Sequence, residues 1–285
     1  MNKKIYAFTS AIANTFCDFS LDIAINKYNI YKVLFYTSII SFFFQVIYAT
    51  QVGISFTINS IPIILFYGLA MFFGYLFYVK SLKSIPIGFA SLLENFDLFL
   101  VFIIDIVLGY LVLDLKFIIL FIIFLISVIW FGIETNKQKE KIKLKELKWI
   151  GIGYLILSIL FYTTEPYLIK IASNTGANEV AINFGYSIVA IPYFFIKLKK
   201  EQQKGEKLNK KGIFLILLIG LLEGIYYICG TIGFIYETPL IVNIIEELRV
   251  FLLILLSAIF KMDQLNLKKI IAMIIGITSV ILLAL

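Results

Sequence analysis

The chain has 285 residues, of which 61% are hydrophobic, 16% aromatic and 15% charged, with a formal net charge of +7. At a mean hydropathy of +0.98 it lacks the polar residues needed to cover a water-soluble core, which excludes an ordinary soluble enzyme or binding domain. Its positive charge is lysine in short connections, with no aromatic and basic surface to hold nucleic acid.

A helix crosses hydrocarbon in about 20 mainly apolar residues, whereas an open sheet leaves edge groups unpaired there. Segments of that kind run over 5–26, 31–49, 58–79, 86–108, 115–133, 149–171, 180–196, 213–235, 239–260 and 267–285. The expected fold is all-α and integral to the membrane, with ten transmembrane helices. The first segment begins MNKKIYAF and holds the small pair Ala11 and Ala13, as a signal peptide would. Its apolar run is short before that pair, and the helix continues through Asp18 and Asp22, so it reads as a span. Cys17 and Cys229 lie inside spans without CxxC spacing and read as small apolar packers. No metal or other cofactor is expected. The connections TNKQKEKIKLKELK (135–148, six lysines) and KLKKEQQKGEKLNKKG (197–212, seven lysines) read as solvated loops.

The chain also matches itself. Residues 68–118 lie on 220–270 without a gap, pairing Gly68 with Gly220, Tyr75 with Tyr227, Glu94 with Glu246 and LDLK (113–116) with LNLK (265–268). Ten of these 51 positions are identical, and the weight rests on the glutamates and on Lys116 and Lys268, since apolar matches arise by chance in so apolar a chain. DIAINK (22–27) and EPYLIK (165–170) both set an acid five residues before a lysine. The repeat unit is five helices, so the expected organisation is a first repeat over 1–134, a lysine-rich linker over 135–148 and a second repeat over 149–285. An odd number of spans inverts the second copy, and binding sites in such proteins lie near the pseudo-twofold axis at mid-depth.

YVKSLKSIPIGFASLLENFDLFLVFIIDIVLGY (78–110) and DQLNLKKIIAMIIGITSVILL (263–283) resemble the third-to-fourth-helix signature and the terminal helix of the EamA-type, ten-helix branch of the drug/metabolite transporter superfamily. Where that family usually has Gly-Glu at the ends of the fourth and ninth spans, this chain has Gly109-Tyr110 and Met262-Asp263, and the Trp-Gly of the first span is absent. The resemblance implies a transporter in the cell membrane, with a central cavity lined by helices three, four, eight and nine, and with five and ten at the periphery or at a homodimer contact.

Charges inside spans are costly, about 2.5–3.5 kcal/mol at the bilayer centre, and usually face a cavity or a partner. In the fourth span Ser91, Glu94, Asn95 and Asp97 share a broad face, and in the ninth Asn243, Glu246, Glu247 and Arg249 occupy the equivalent places. Asp18 and Asp22 stand at i, i+4 in the first span, with Glu165 and Glu223 in the sixth and eighth. Asp97 and Arg249, equivalent under the repeat, are candidates for an architectural ion pair. Glu94 and Glu246 have no second arginine to neutralise them, so they are candidate proton carriers. Without histidine, a proton relay runs through carboxylates, with tyrosines such as Tyr226 and Tyr227. The acidic excess favours a cationic or zwitterionic small molecule, its positive group on Glu94, Glu246 or Glu247 and any carboxylate on Arg249.

Twenty lysines fall on the side reached after the first span, against four (Lys3, Lys4, Lys116 and Lys170) on the other. The positive-inside rule therefore places both termini outside, whereas members of the resembled family commonly keep them inside. An intramembrane lipid or prenyl transferase would also hold acids in an apolar chain, but neither DDxxD nor HExxH occurs. A non-transporting membrane scaffold is the remaining reading.

Overall fold

The computed structural model describes residues 3–82, 93, 96–111, 114–138, 149–200, 208–260 and 265–284. Within them lie eleven α-helices: α1 (Lys4–Lys27), α2 (Ile30–Val52), α3 (Ile61–Leu82), α4 (Phe96–Val107), α5 (Leu115–Gln138), α6 (Trp149–Asn174), α7 (Glu179–Lys200), α8 (Lys210–Tyr236), α9 (Pro239–Glu246), α10 (Leu248–Ile259) and α11 (Leu267–Ala284). A short 3-10 turn, Ile58–Ser60, leads into α3, and no strand occurs among the described residues. Six of the described helices, α2, α3 and α5 to α8, are long and apolar enough to cross a membrane. The expected ninth span is not one helix: α9 and α10 meet at Glu247, where Val250 N–H donates to the Glu247 carbonyl three residues back at 3.1 Å instead of continuing the α pattern.

Polar side chains fix where these helices start. Asn29, Asn178, Asn209 and Asn266 accept through Oδ1 from the backbone N–H three residues ahead, of Lys32, Ala181, Gly212 and Lys269. Asp114 does the same for Phe117. Each cap satisfies a donor that the first helical turn leaves open, and is worth about 1 kcal/mol. Inside the helices many hydroxyls bond back to a carbonyl of the preceding turn, as Thr15 does to Ala11 (2.7 Å), Ser127 to Phe124 (2.7 Å) and Ser279 to Ile275 (2.8 Å). A hydroxyl satisfied this way adds little cost to burial in hydrocarbon.

The chain forms two compact units, Met1–Phe72 with Pro166–Tyr236, and Phe73–Glu165 with Glu237–Leu285. Each draws on both halves of the sequence. In the first unit α1 packs on α8, α2 on α7 and α8, and α7 on α8. Glycines set the distances there: a Cβ on Gly68 of α3 would fall on the Gly185 carbonyl of α7, and one on Gly220 of α8 would lie 2.9 Å from the Thr37 carbonyl of α2. One end of this unit is tied by Asn178, whose Nδ2 donates to Gly53 O at 2.9 Å and whose backbone N–H donates to Ser55 O at 2.9 Å. In the second unit α5 packs along α11, and α9 contacts α4 and α11. Phe131 and Phe251, both fully buried, meet edge to face at 5.1 Å.

Candidate functional site

The second unit holds most of the charged residues singled out in the spans. Asp97 lies in the first turn of α4, Glu165 on α6 immediately before Pro166, and Glu246 at the end of α9. The three come together: the charges of Glu246 and Asp97 both act on the Glu165 carboxylate. Glu247, buried at the junction of α9 and α10, is met by the charge of Arg249, two residues on. Glu94, with Ser91 and Asn95, lies outside the described residues. The junction at Glu247, itself in the right-handed helical region (φ −66°, ψ −10°), sets Glu246, Glu247 and Arg249 within four residues in the middle of an otherwise apolar segment.

A further acid, not anticipated among the site residues, stands behind this junction. Asp105 of α4 is fully buried, and its Oδ2 accepts from Leu240 N–H at 2.9 Å, in the first turn of α9. A carboxylate there satisfies an open donor and faces the positive end of the helix. It fixes where α9 begins, and so where Glu246 and Glu247 sit, six and seven residues after Leu240. The signal was present in the sequence as an acid in a span, but it has no charged equivalent in the second copy, where Ser257 takes its place.

In the first unit the acids singled out in the spans are Asp18 and Asp22 on α1 and Glu223 on α8. Asp18 is half-buried, and α1 packs on α8. The Glu223 carboxylate faces the hydroxyls of Thr37 and Tyr227. Around it runs a neutral polar interior. Along α2, Thr37, Ser38, Ser41 and Gln45 form a buried stripe at helical spacing, while Phe43 and Ile47 point outward at 60% and 63% exposure. Opposite, Asn183 of α7 accepts from Tyr67 OH (3.3 Å) and Thr231 Oγ1 (3.1 Å), and donates to the Tyr227 carbonyl (3.2 Å). Tyr186 lies tilted against Tyr227, 5.1 Å between ring centres. At one end Tyr48 OH donates to Glu179 Oε1 at 3.1 Å. Spacing alone could have found the α2 stripe, because a polar face one residue in three or four in a spanning helix points away from lipid.

Among the described residues no cluster of three metal-binding side chains occurs. Cys17 is buried and Cys229 half-buried, and neither is in a disulfide.

The model of the EamA-like transporter family matches residues 149–285. No curated protein matches the sequence. Among solved structures, a crystal structure of another protein aligns with a TM-score of 0.77 at 12% identity, over 98% of this chain and 94% of that one. At that identity the likeness is one of fold. With helices of spanning length and a second half, residues 149–285, that matches the EamA-like transporter family, the chain is an integral, multi-pass membrane protein.

Proposed function

We propose that the protein is a proton-coupled secondary transporter that moves a small cationic or zwitterionic metabolite across the cell membrane. The observation that carries this reading is the convergence of Asp97, Glu165 and Glu246 from three helices of the second unit. Carboxylates gathered in an apolar surrounding repel one another, and either a proton or the positive group of a cargo relieves that repulsion. Such a group alternates between the two occupants when one displaces the other, which is the elementary event of coupled exchange. Glu247 with Arg249 supplies a place for a zwitterion's two charges. Glu94 completes the proposed set, and Asp18 and Asp22 are further proposed acids, in the first unit. The family consists of transporters, which favours this reading over an intramembrane enzyme.

An inverted repeat of five helices is part of the proposal, and several correspondences support it. The caps of α2 and α7 are Asn29 and Asn178, and those of α5 and α11 are Asp114 and Asn266. The paired glycines of the sequence repeat, Gly68 and Gly220, each lie at a helix crossing, the first on α7 and the second on α2. Beyond the cargo, protons and lipid, the proposed partner is a second copy of the chain; nucleic acid is not.

The test uses purified protein in liposomes and a panel of labelled amines and amino acids, with and without an imposed pH gradient. Glu165→Gln and Glu246→Gln, like Glu94→Gln, are expected to abolish the response to the gradient while leaving cargo exchange measurable. Variants that keep the wild-type dependence on the gradient sink the assignment.

A further inference from the structure

The first unit carries a second site, distinct from the acids of the second. Glu223 lies on α8 between Gly220 and Gly224, where α8 lies close against Thr37, Ile40 and Phe44 of α2. That approach sets its carboxylate beside Thr37. The Thr37 hydroxyl stands between that carboxylate and the Leu34 carbonyl, 3.2 Å away, and its one hydrogen cannot satisfy both acceptors at once. Glu223 Oε2 has no hydrogen-bond partner, and neither has the hydroxyl of Tyr186, a residue only 3% exposed. That hydroxyl stands against Ser38, Tyr227 and Glu223 without reaching bonding geometry. Buried polar groups are almost always paired, so open oxygens from α7 and α8, set beside hydroxyls of α2, mark a place for an occupant.

Hydroxyl and carboxylate oxygens predominate around Glu223 and Tyr186, with the Cys17 thiol also near Tyr186, and oxygen is the donor type of hard cations. One carboxylate balances one positive charge, whereas calcium sites gather several. Tyr186, Tyr227 and Tyr226 close around it, with ring centres 5.1 Å apart in succession, and Thr37 and Ser38 are buried. Packing this close admits an ion more readily than an organic cargo. We propose that Glu223, Thr37, Ser38, Tyr186 and Tyr227 bind a desolvated alkali cation. Such an ion joins α2, α7 and α8, and its arrival or loss changes the packing of the unit.

The experiment is equilibrium binding of radiolabelled Na+ to the purified full chain in detergent, without cargo, at constant ionic strength in choline chloride, at pH 6 and pH 8, with K+ as a competitor. Saturable binding is expected at pH 8, weakened about 10-fold or more in Glu223→Gln and less strongly in Tyr186→Phe, which removes only the hydroxyl. Ser279→Ala, a hydroxyl of the second unit, is expected to bind as the wild type does. Absence of saturable binding of either alkali ion in the wild type overturns the proposal, as does undiminished binding in Glu223→Gln. A site that responds to pH alone and to no alkali ion also overturns it, since its occupant is then a proton. No cargo or gradient is present, so the outcome is independent of whether transport is proton-coupled.

Discussion

Replacing Gly220 by alanine tests how closely α8 lies on α2. In an unobstructed helix the change stabilises by about 1 kcal/mol, because glycine gives up more backbone freedom on ordering. At Gly220 the new Cβ lies 2.6 Å from Ile40 Cβ and 2.9 Å from the Thr37 carbonyl oxygen. Neither is the tip of a flexible side chain. Ordinary contact begins near 3.4 Å, so going from 2.6 to 3.4 Å requires the two helices to part locally by about 0.8 Å. Overpacking of this kind costs about 1–3 kcal/mol, and after the propensity gain a net loss of up to about 2 kcal/mol is expected. Gly153→Ala is the control, since nothing lies within 4 Å of its added Cβ. Thermal unfolding of the two variants in one detergent is the assay: Gly220→Ala melts below the wild type and Gly153→Ala at or above it. Equal shifts in the two variants refute the close approach. The same separation draws Glu223 away from Thr37, so Gly220→Ala also weakens alkali-cation binding.

Three other outcomes are expected. Asp105→Ala leaves the Leu240 N–H of α9 without its acceptor and costs about 1–3 kcal/mol in unfolding experiments, of which Asp105→Asn, still an acceptor, restores part. Asn178→Ala, which removes contacts to Ala181, Ser55 and Gly53, destabilises more than Asn29→Ala, whose cap serves Lys32. If the lysine-rich connections face the cytoplasm, a membrane-impermeant maleimide applied to intact cells labels Gln51→Cys and spares Gln203→Cys; the opposite pattern reverses the topology.

Much of the helical layout is legible because hydrophobic length is a strong signal: the boundaries of α1, α2, α5, α6 and α7 fall within a few residues of the apolar runs. The break at Glu247 was not legible, since the composition of 239–260 is that of an unbroken span and periodicity does not distinguish a straight helix from two joined at one residue. Charge drew attention to Asp97, Glu165 and Glu246, which do converge, because an ionised group in hydrocarbon is too costly to be incidental. Neutral polar residues cost less and stand out less. Gln45, Asn183 and Tyr186 therefore passed unnoticed, although together with Glu223 they make up the interior of the first unit. The division into units was not legible either, since it splits α3 and α6 and mixes the two halves of the sequence.

The central claim is that carboxylates within the membrane couple cargo movement to protons. The most direct measurement is cargo accumulation in protein-containing liposomes, energised only by a pH gradient and followed before and after addition of a protonophore. Coupling predicts that a cationic or zwitterionic cargo rises above its equilibrium level, and that the excess drains away when the gradient is collapsed. A cargo that equilibrates to the same level whatever the gradient contradicts it.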